Sequence, residues 1–465
     1  VSRLVLRNVE LDRRRVDVVC ADGMITSVTE GGSDQVDLTD PIVIEGAGGA
    51  VLPGLHDHHI HLLATDAASR SVAVGPEHVA GIEDLGRVLR AATADADGWV
   101  RAVGYHDSVA GPLDRSVLDR LVGDRPVRVQ HRSGAMWILS SAAVRSVDLD
   151  GDAPPGAERD DDERPNGRLV RLDDWLRQRL PAHPAPDLAG LARELNRLGI
   201  TGVTDATPVT TVDELDLLAT AETLRVQATG GPALIGAEFP PGLRRGPVKV
   251  VLSDHDLPAL DDLAAWFVDA HRYGRVVAVH CVTRSSLVLG LAAWELAGSV
   301  PGDRIEHGSV IPAELIPTIG RLGLTVVTQP GFIGERGDQY LADVDADDLG
   351  DLYRCASLIE AGALVAGSSD APYTRPDPWA AIADAVDRRS PSGAVLGAAE
   401  RLPAGRALDL YLGALEDPGG PPRRVHVGEP ADLIVLSTDL ASALAAPSAE
   451  LVSTTLVRGE VVHRR

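Results

Sequence analysis

Three distant segments of this chain are built alike: a short strand-like run, a polar residue at its C-terminal end, and then a helix-like stretch. Arg275-Val276-Val277-Ala278-Val279 leads into His280, Arg304-Ile305-Glu306 into His307, and Ala363-Leu364-Val365-Ala366-Gly367-Ser368-Ser369 into Asp370. The first and third runs are largely apolar and read as buried strands. Any one polar residue closing a strand is ordinarily a cap or a turn. Repetition of the unit instead predicts an α/β fold, a (β/α)8 TIM barrel, because such a barrel gathers the C-terminal ends of its strands at one mouth.

A second feature fits such a mouth. Four of the 14 histidines fall within six residues, in Pro53-Gly54-Leu55-His56-Asp57-His58-His59-Ile60-His61. Along a strand, residues i and i+2 share a side, so His59 and His61 point together. Two imidazoles so placed form half of a metal-ligand set. His-rich runs also occur on surfaces by chance, but this one has apolar flanks and opens with a Pro-Gly turn.

The third feature is an isolated amine. Of 44 basic side chains, one is lysine, Lys249, and the rest are arginine. A GC-rich coding bias explains the scarcity of lysine but not the one that remains. Guanidinium stays charged at accessible pH, whereas a desolvated lysine amine can become neutral and nucleophilic. Pro247-Val248-Lys249-Val250-Val251-Leu252 reads as a buried strand.

Composition narrows the partners. A net charge of −24 argues against nucleic acid and against an anionic membrane surface. No apolar run reaches the length of a membrane span, and the sequence opens on a strand-like segment instead of a signal peptide. Cys20, Cys281 and Cys355 lie far apart with no CxxC pair, as expected of free thiols in a reducing, cytoplasmic setting. The expected partner is a small-molecule substrate, and a homo-oligomer is compatible with everything above.

Taken in order, these segments resemble the metal-dependent amidohydrolase superfamily, in the branch labelled amidohydrolase 3 or YtcJ-like. The opening PG-hydrophobic-hydrophobic-D-x-H-x-H motif corresponds to Pro53 through His61. Lys249 falls where the family keeps a strand-borne lysine that becomes N-carboxylated. His280, the Arg304–His307 run and the Gly367–Asp370 run match later motifs. Gly428-Glu429-Pro430-Ala431-Asp432-Leu433-Ile434-Val435 resembles the family's C-terminal ending.

The resemblance implies a ligand set of His59, His61, Lys249, His280, His307 and Asp370. His59 and His61 would take the more buried ion and His280 and His307 the more exposed one. A CO2-derived carbamate on Lys249 would lie between them, with Asp370 as last ligand and catalytic base. It implies one or two divalent ions, with zinc the default for an imidazole-rich hydrolytic site and manganese, iron or nickel as alternatives. It also implies a barrel over residues 53–423 beside a small β-sandwich domain built from both termini, 1–52 and 424–465. Alternating runs such as Leu4-Val5-Leu6, with turns at Asp22-Gly23 and Gly31-Gly32, agree with strands at the N-terminal end. Within 53–423, runs near Val100 and Val127 are expected as further strands, and 150–168 as an acidic loop.

The implied activity is metal-dependent hydrolysis of a carbon–nitrogen bond other than a peptide bond, in an N-acyl or N-formyl compound. Two alternatives stay open: an aminohydrolase that deaminates a heterocycle, and a catalytically silent relative acting as an interaction protein. Deaminating relatives place a Glu three residues after the strand-five histidine, and this chain has Thr283 there. Silent relatives lose several ligands, and all six positions are filled here. His56 stands where the family has an apolar residue. His131, Trp137, Arg284 and Tyr373 are the candidate substrate contacts.

Overall fold

The computed structural model describes residues 3–30, 42–181, 185–208 and 210–465; the Gly31-Gly32 turn expected from sequence lies outside them. The chain divides into two compact units, Val1–Leu63 with Asp187–Arg465, and Ala64–Pro186.

The first unit is organised by an eight-stranded sheet in chain order: β1 (Leu55–Ile60), β2 (Ile200–Asp205), β3 (Arg225–Gly230), β4 (Leu243–Val251), β5 (Val277–Cys281), β6 (Arg304–His307), β7 (Thr325–Thr328) and β8 (Leu364–Gly367). All seven neighbouring pairs are parallel. Two backbone hydrogen bonds join the chain after β8 to the end of β1: Asp370 N donates to His59 O at 2.8 Å and His61 N to Ala371 O at 2.9 Å. The sheet is therefore a TIM-type barrel closed between its first and last strands, as its mouth pattern predicts.

Outward-facing strand residues pack under helices. On β4, Val248 and Val250 join Leu263 and Phe267 of helix Leu260–Arg272 in one apolar core. Alternation then turns Lys249 to the barrel interior, where it is buried. Thr283 caps helix Arg284–Ala297: its hydroxyl accepts from Ser286 N, and the Ser286 side chain accepts from Thr283 N.

Both ends of the chain contribute strands beside the barrel. Arg3–Leu11, Arg14–Ala21, Met24–Glu30 and Ile42–Glu45 form one four-stranded sheet; Val51–Pro53, Leu433–Leu436, Val452–Val457 and Glu460–Arg464 form another. Leu6, Val18 and Ile44 from the first share a core with Val51, Leu433 and Leu456 from the second. No described helix is long and apolar enough to cross a membrane. The three cysteines are free and buried.

The second unit interrupts the barrel between β1 and β2. Its six-stranded sheet runs in the order Ala157–Arg159, Pro165–Val170, Met136–Leu139, Val127–His131, Val100–Tyr105, Val72–Ala73. The runs near Val100 and Val127, expected within the barrel, belong to this sheet instead. Periodicity identifies a strand but not the sheet it joins. The acidic stretch expected as a loop is largely a hairpin: Ala157–Arg159 pairs with Pro165–Val170, and the Asp160 carboxylate holds the turn by accepting from Asp162 N and Arg164 N.

Candidate metal centre

The seam between β1 and β8 assembles the site. Its backbone bonds bring Asp370 against His59 and His61, and Asp370 Oδ1 lies 3.5 Å from His59 Nε2 and 3.2 Å from His61 Nε2. These three side chains can each offer one ligand atom to a common ion. Asp57 pins the same seam, its carboxylate accepting from Ser369 N at 3.0 Å and from the Ser369 hydroxyl at 2.5 Å. Burial pushes Asp57 up to about 6 despite these bonds.

Strand alternation does not by itself place the histidines. From the Val203–Asp57 pair to the Asp205–Ile60 pair, β1 spends three residues against two on β2. The extra residue is a bulge within the histidine run, and it resets which side chains share a side. His59 and His61 still converge, their ring centroids 5.3 Å apart. A second break occurs at the end of β6, where His307 has φ 69°. Glu306 and His307, adjacent in sequence, both interact with site residues.

Glu306 accepts a short hydrogen bond from His59 Nδ1, and its other oxygen accepts from Arg304 Nε at 2.6 Å. A carboxylate cannot donate, so the His59 proton sits on Nδ1 and the Nε2 lone pair faces Asp370. Burial would raise the Glu306 carboxyl, but Arg304, Lys249 and His307 hold it below its ordinary value. His307 is set in the same way. Its Nδ1 lies 3.0 Å from Gln329 Oε1, whose amide nitrogen donates to the Ser368 hydroxyl at 2.9 Å, leaving His307 Nε2 as the acceptor. Burial, reinforced by neighbouring cationic groups including Lys249, drives both histidines well below the ordinary imidazole range. They are neutral, as metal ligands must be.

The remaining predicted ligands gather around this group. The His307 ring centroid lies 4.6 Å from that of His59 and 4.5 Å from that of His280, and His307 Nδ1 is 3.8 Å from Asp370 Oδ2. The Lys249 amine is buried without a hydrogen-bond partner among the described residues. Burial lowers its pKa and Arg304 lowers it further, against the pull of Glu306 and Asp370. His59 Nε2, Asp370 Oδ1 and Lys249 Nζ are all buried without hydrogen bonds to the described residues. Native interiors rarely leave such atoms unmatched, and a cation shared between acceptors matches the two that offer lone pairs.

The four candidate substrate residues are placed differently. Tyr373 stands edge-on to His61, ring centroids 5.8 Å apart. Arg284 is exposed and bonded to Asp348 at 2.7 Å. His131 and Trp137 belong to the second unit: His131 Nδ1 is 2.8 Å from the Ser133 hydroxyl, while Trp137 is buried, donates to Asp173 at 2.8 Å and lies beneath Arg101 and Arg128. Glu306 and Gln329 were not among the residues singled out from sequence. The one cue for Glu306 was an acid inside a strand beside an arginine, and Gln329 gave none.

Residues 43–463 match the sequence model of the Amidohydrolase family. Over 211 residues the chain is 29% identical to YtcJ of Bacillus subtilis (strain 168), an amidohydrolase by name; the match covers 42% of this chain and 39% of that relative's length. Among solved structures, an uncharacterized metal-dependent hydrolase from Pyrococcus furiosus aligns with TM-score 0.72 at 20% identity, covering 94% of this chain and 99% of that one. One from Pyrococcus horikoshii OT3 aligns with TM-score 0.73 at 18% identity, covering 99% and 100%. N-isopropylammelide isopropylaminohydrolase from Burkholderia multivorans aligns with TM-score 0.55 at 18% identity, covering 100% and 99%. At these identities the structures speak for the fold.

Proposed function

Because the chain belongs to the amidohydrolase family, in its amidohydrolase 3 or YtcJ-like branch, we propose that it hydrolyses the carbon–nitrogen bond of a small N-acyl or N-formyl compound with a divalent metal, zinc by default. The observation that carries the proposal is the convergence of His59 Nε2, a lone pair fixed by Glu306, and His61 Nε2 on an Asp370 oxygen that accepts no hydrogen bond among the described residues.

His59, His61 and Asp370 would hold one ion, and His280 and His307 a second. A carbamate on Lys249, formed if its amine added to the carbon of CO2 and lost a proton, would supply further ligand oxygens. Bound metal at such a site lowers the pKa of water and polarises a carbonyl. The chain's own contribution is orientation and proton transfer. Glu306 and Gln329 hold the rings of His59 and His307. Asp370 takes a proton from the attacking water and returns it to the departing nitrogen, because an amine leaves poorly unless protonated. Tyr373, beside His61, is the substrate contact best supported by position.

Deamination of a heterocycle is disfavoured by Thr283, whose hydroxyl is engaged at a helix N-terminus where a proton-carrying glutamate would be needed. The test is metal analysis of the purified protein, followed by a screen of N-acyl and N-formyl amines and amino acids. About one to two equivalents of a divalent metal are expected, with activity lost on chelation and restored on reloading. Full activity in a metal-free preparation overturns the reading.

A further inference from the structure

One guanidinium beside the metal centre is firmly held but has no counter-charge. Arg336 lies on the helix Gly331–Asp343, which opens just past the C-terminal end of β7. Helical side chains lean toward the helix N-terminus, so Arg336 reaches back toward the mouth of the barrel. Its guanidinium covers the Phe332 ring, 4.7 Å from the centroid, and one amino group donates a short hydrogen bond to the Tyr373 carbonyl. Tyr373 N in turn donates to Asp370 O at 2.9 Å. That bond closes a tight turn, less than about 7 Å across, between Asp370 and the residue that Arg336 grips.

The support of this guanidinium also reaches the end of β6. Phe332 stacks on Tyr353, with centroids 5.4 Å apart and planes inclined by 11°. The Tyr353 hydroxyl is hydrogen-bonded to the side chain of Ser309, two residues past His307, and lies 3.0 Å from the Tyr340 hydroxyl. Burial is the main cause of the raised Tyr353 phenol, but Arg336 and Asp370 also act on it, in opposite senses. Of the three Phe and six Tyr in the chain, Phe332, Tyr340, Tyr353 and Tyr373 share this one apolar cluster.

What Arg336 lacks is an acid. Among the described residues no carboxylate pairs with it, and its Nε is buried without a hydrogen-bond partner, in a chain with 68 acidic against 44 basic side chains. The acids flanking it in sequence are engaged elsewhere: Glu335 pairs with Arg375 at 2.9 Å, and Asp338 accepts from Ser392 N at 2.9 Å. Stapling the Tyr373 turn needs only a neutral donor, so that role does not account for the charge. Resting on the hydrolytic reading above, we propose that Arg336 receives a free carboxylate of the substrate, which makes the substrate an N-acyl or N-formyl amino acid and not a neutral amide. Guanidinium and carboxylate match in charge and planar shape, and the stack on Phe332 with the tie to Tyr373 fixes the cation before the ligand arrives.

N-Acetylglycine, N-acetylalanine and N-acetylphenylalanine, each against its own carboxamide, test this on the metal-loaded protein. Acid and amide differ only in the group that Arg336 would hold. Where the probes are turned over, the ratio of kcat/KM is read; where they are not, the ratio of dissociation constants from calorimetric titration. The wild type should favour at least one acid by roughly 10–100-fold, the usual worth of a hydrogen bond to a charged group. Arg336→Met keeps an apolar cover on Phe332 and should bring the ratio close to one, while Arg336→Lys should retain part of the preference. An arginine with a purely structural role would instead depress acid and amide together. No acid preference in the wild type, or one that persists in Arg336→Met, overturns the assignment. The hydrolytic reading fails separately: acid-selective binding that Arg336→Met abolishes, with no turnover of any probe, upholds the carboxylate site and removes only the reaction.

Discussion

Glu306 holds the Nδ1 proton of His59, so the first histidine of the metal cluster is oriented by the strand that also carries His307. Glu306 also answers the buried Arg304 guanidinium, so it serves the fold and the site together.

Glu306→Gln should separate these two roles. Gln can place either its oxygen or its amide group toward His59, so the ring loses its fixed tautomer. Metal affinity should fall by about 10–100-fold, the usual effect of removing such a support. Stability should also fall, since Arg304 loses its counter-charge. Combining Glu306→Gln with Arg304→Met should recover stability but not metal affinity. Metal titration and denaturant melts on both variants check this; recovery of both would make Glu306 purely structural.

Lys249→Arg preserves charge but cannot form a carbamate, and it puts a permanently charged group where a buried amine can shed its proton. Loss of bound metal and turnover is expected, in a chain that uses arginine at every other basic position. Wild-type turnover and metal content in this variant would reduce Lys249 to a packing residue.

Asp370→Asn is a clean test of proton transfer. Asp370 has φ 57°, a left-handed conformation that Asn adopts readily, and its backbone bond to His59 does not depend on the side chain. The fold should persist with metal retained at His59 and His61, while kcat falls by roughly 10²–10⁴-fold. Near-normal turnover with altered melting temperature would instead mark a turn-capping residue.

Asp384 should give the protein a pH-dependent stability unrelated to catalysis. Burial, with Glu335, Asp387 and Asp377 nearby, raises its carboxyl to about 7 against the pull of Arg375. The folded state then holds a proton that the unfolded state releases near pH 4, so stability falls as pH rises from about 4 to 7. Asp384→Asn removes this cost and should be more stable than the parent at pH 8, by about 1–3 kcal/mol, with little advantage at pH 4. Melting curves across that range decide it, and a constant difference contradicts the assignment.

What the sequence made legible was the chemistry at strand ends. His280, His307 and Asp370 each lie at, beside or just beyond the end of a strand, and the isolation of Lys249 marked a residue whose amine is buried without a hydrogen-bond partner among the described residues. What escaped it depended on partners distant in sequence. Glu306 and Gln329 gain their roles from rings on strands far away or from a backbone reversal at His307, neither of which periodicity records. The bulge in β1 likewise depends on pairing with β2. The second unit was read as more barrel because its strands have the same local pattern as the barrel's own.

The seam between β1 and β8 also sets when the site can exist during synthesis. His59 and His61 emerge early from the ribosome, yet they meet Asp370 only after some three hundred further residues have been translated and the last barrel strand has docked beside the first. A nascent or truncated chain ending before that point has two histidines and no cluster. Metal uptake through this group therefore reports completion of the barrel, and the cell's metal supply meets a finished fold, not a forming one.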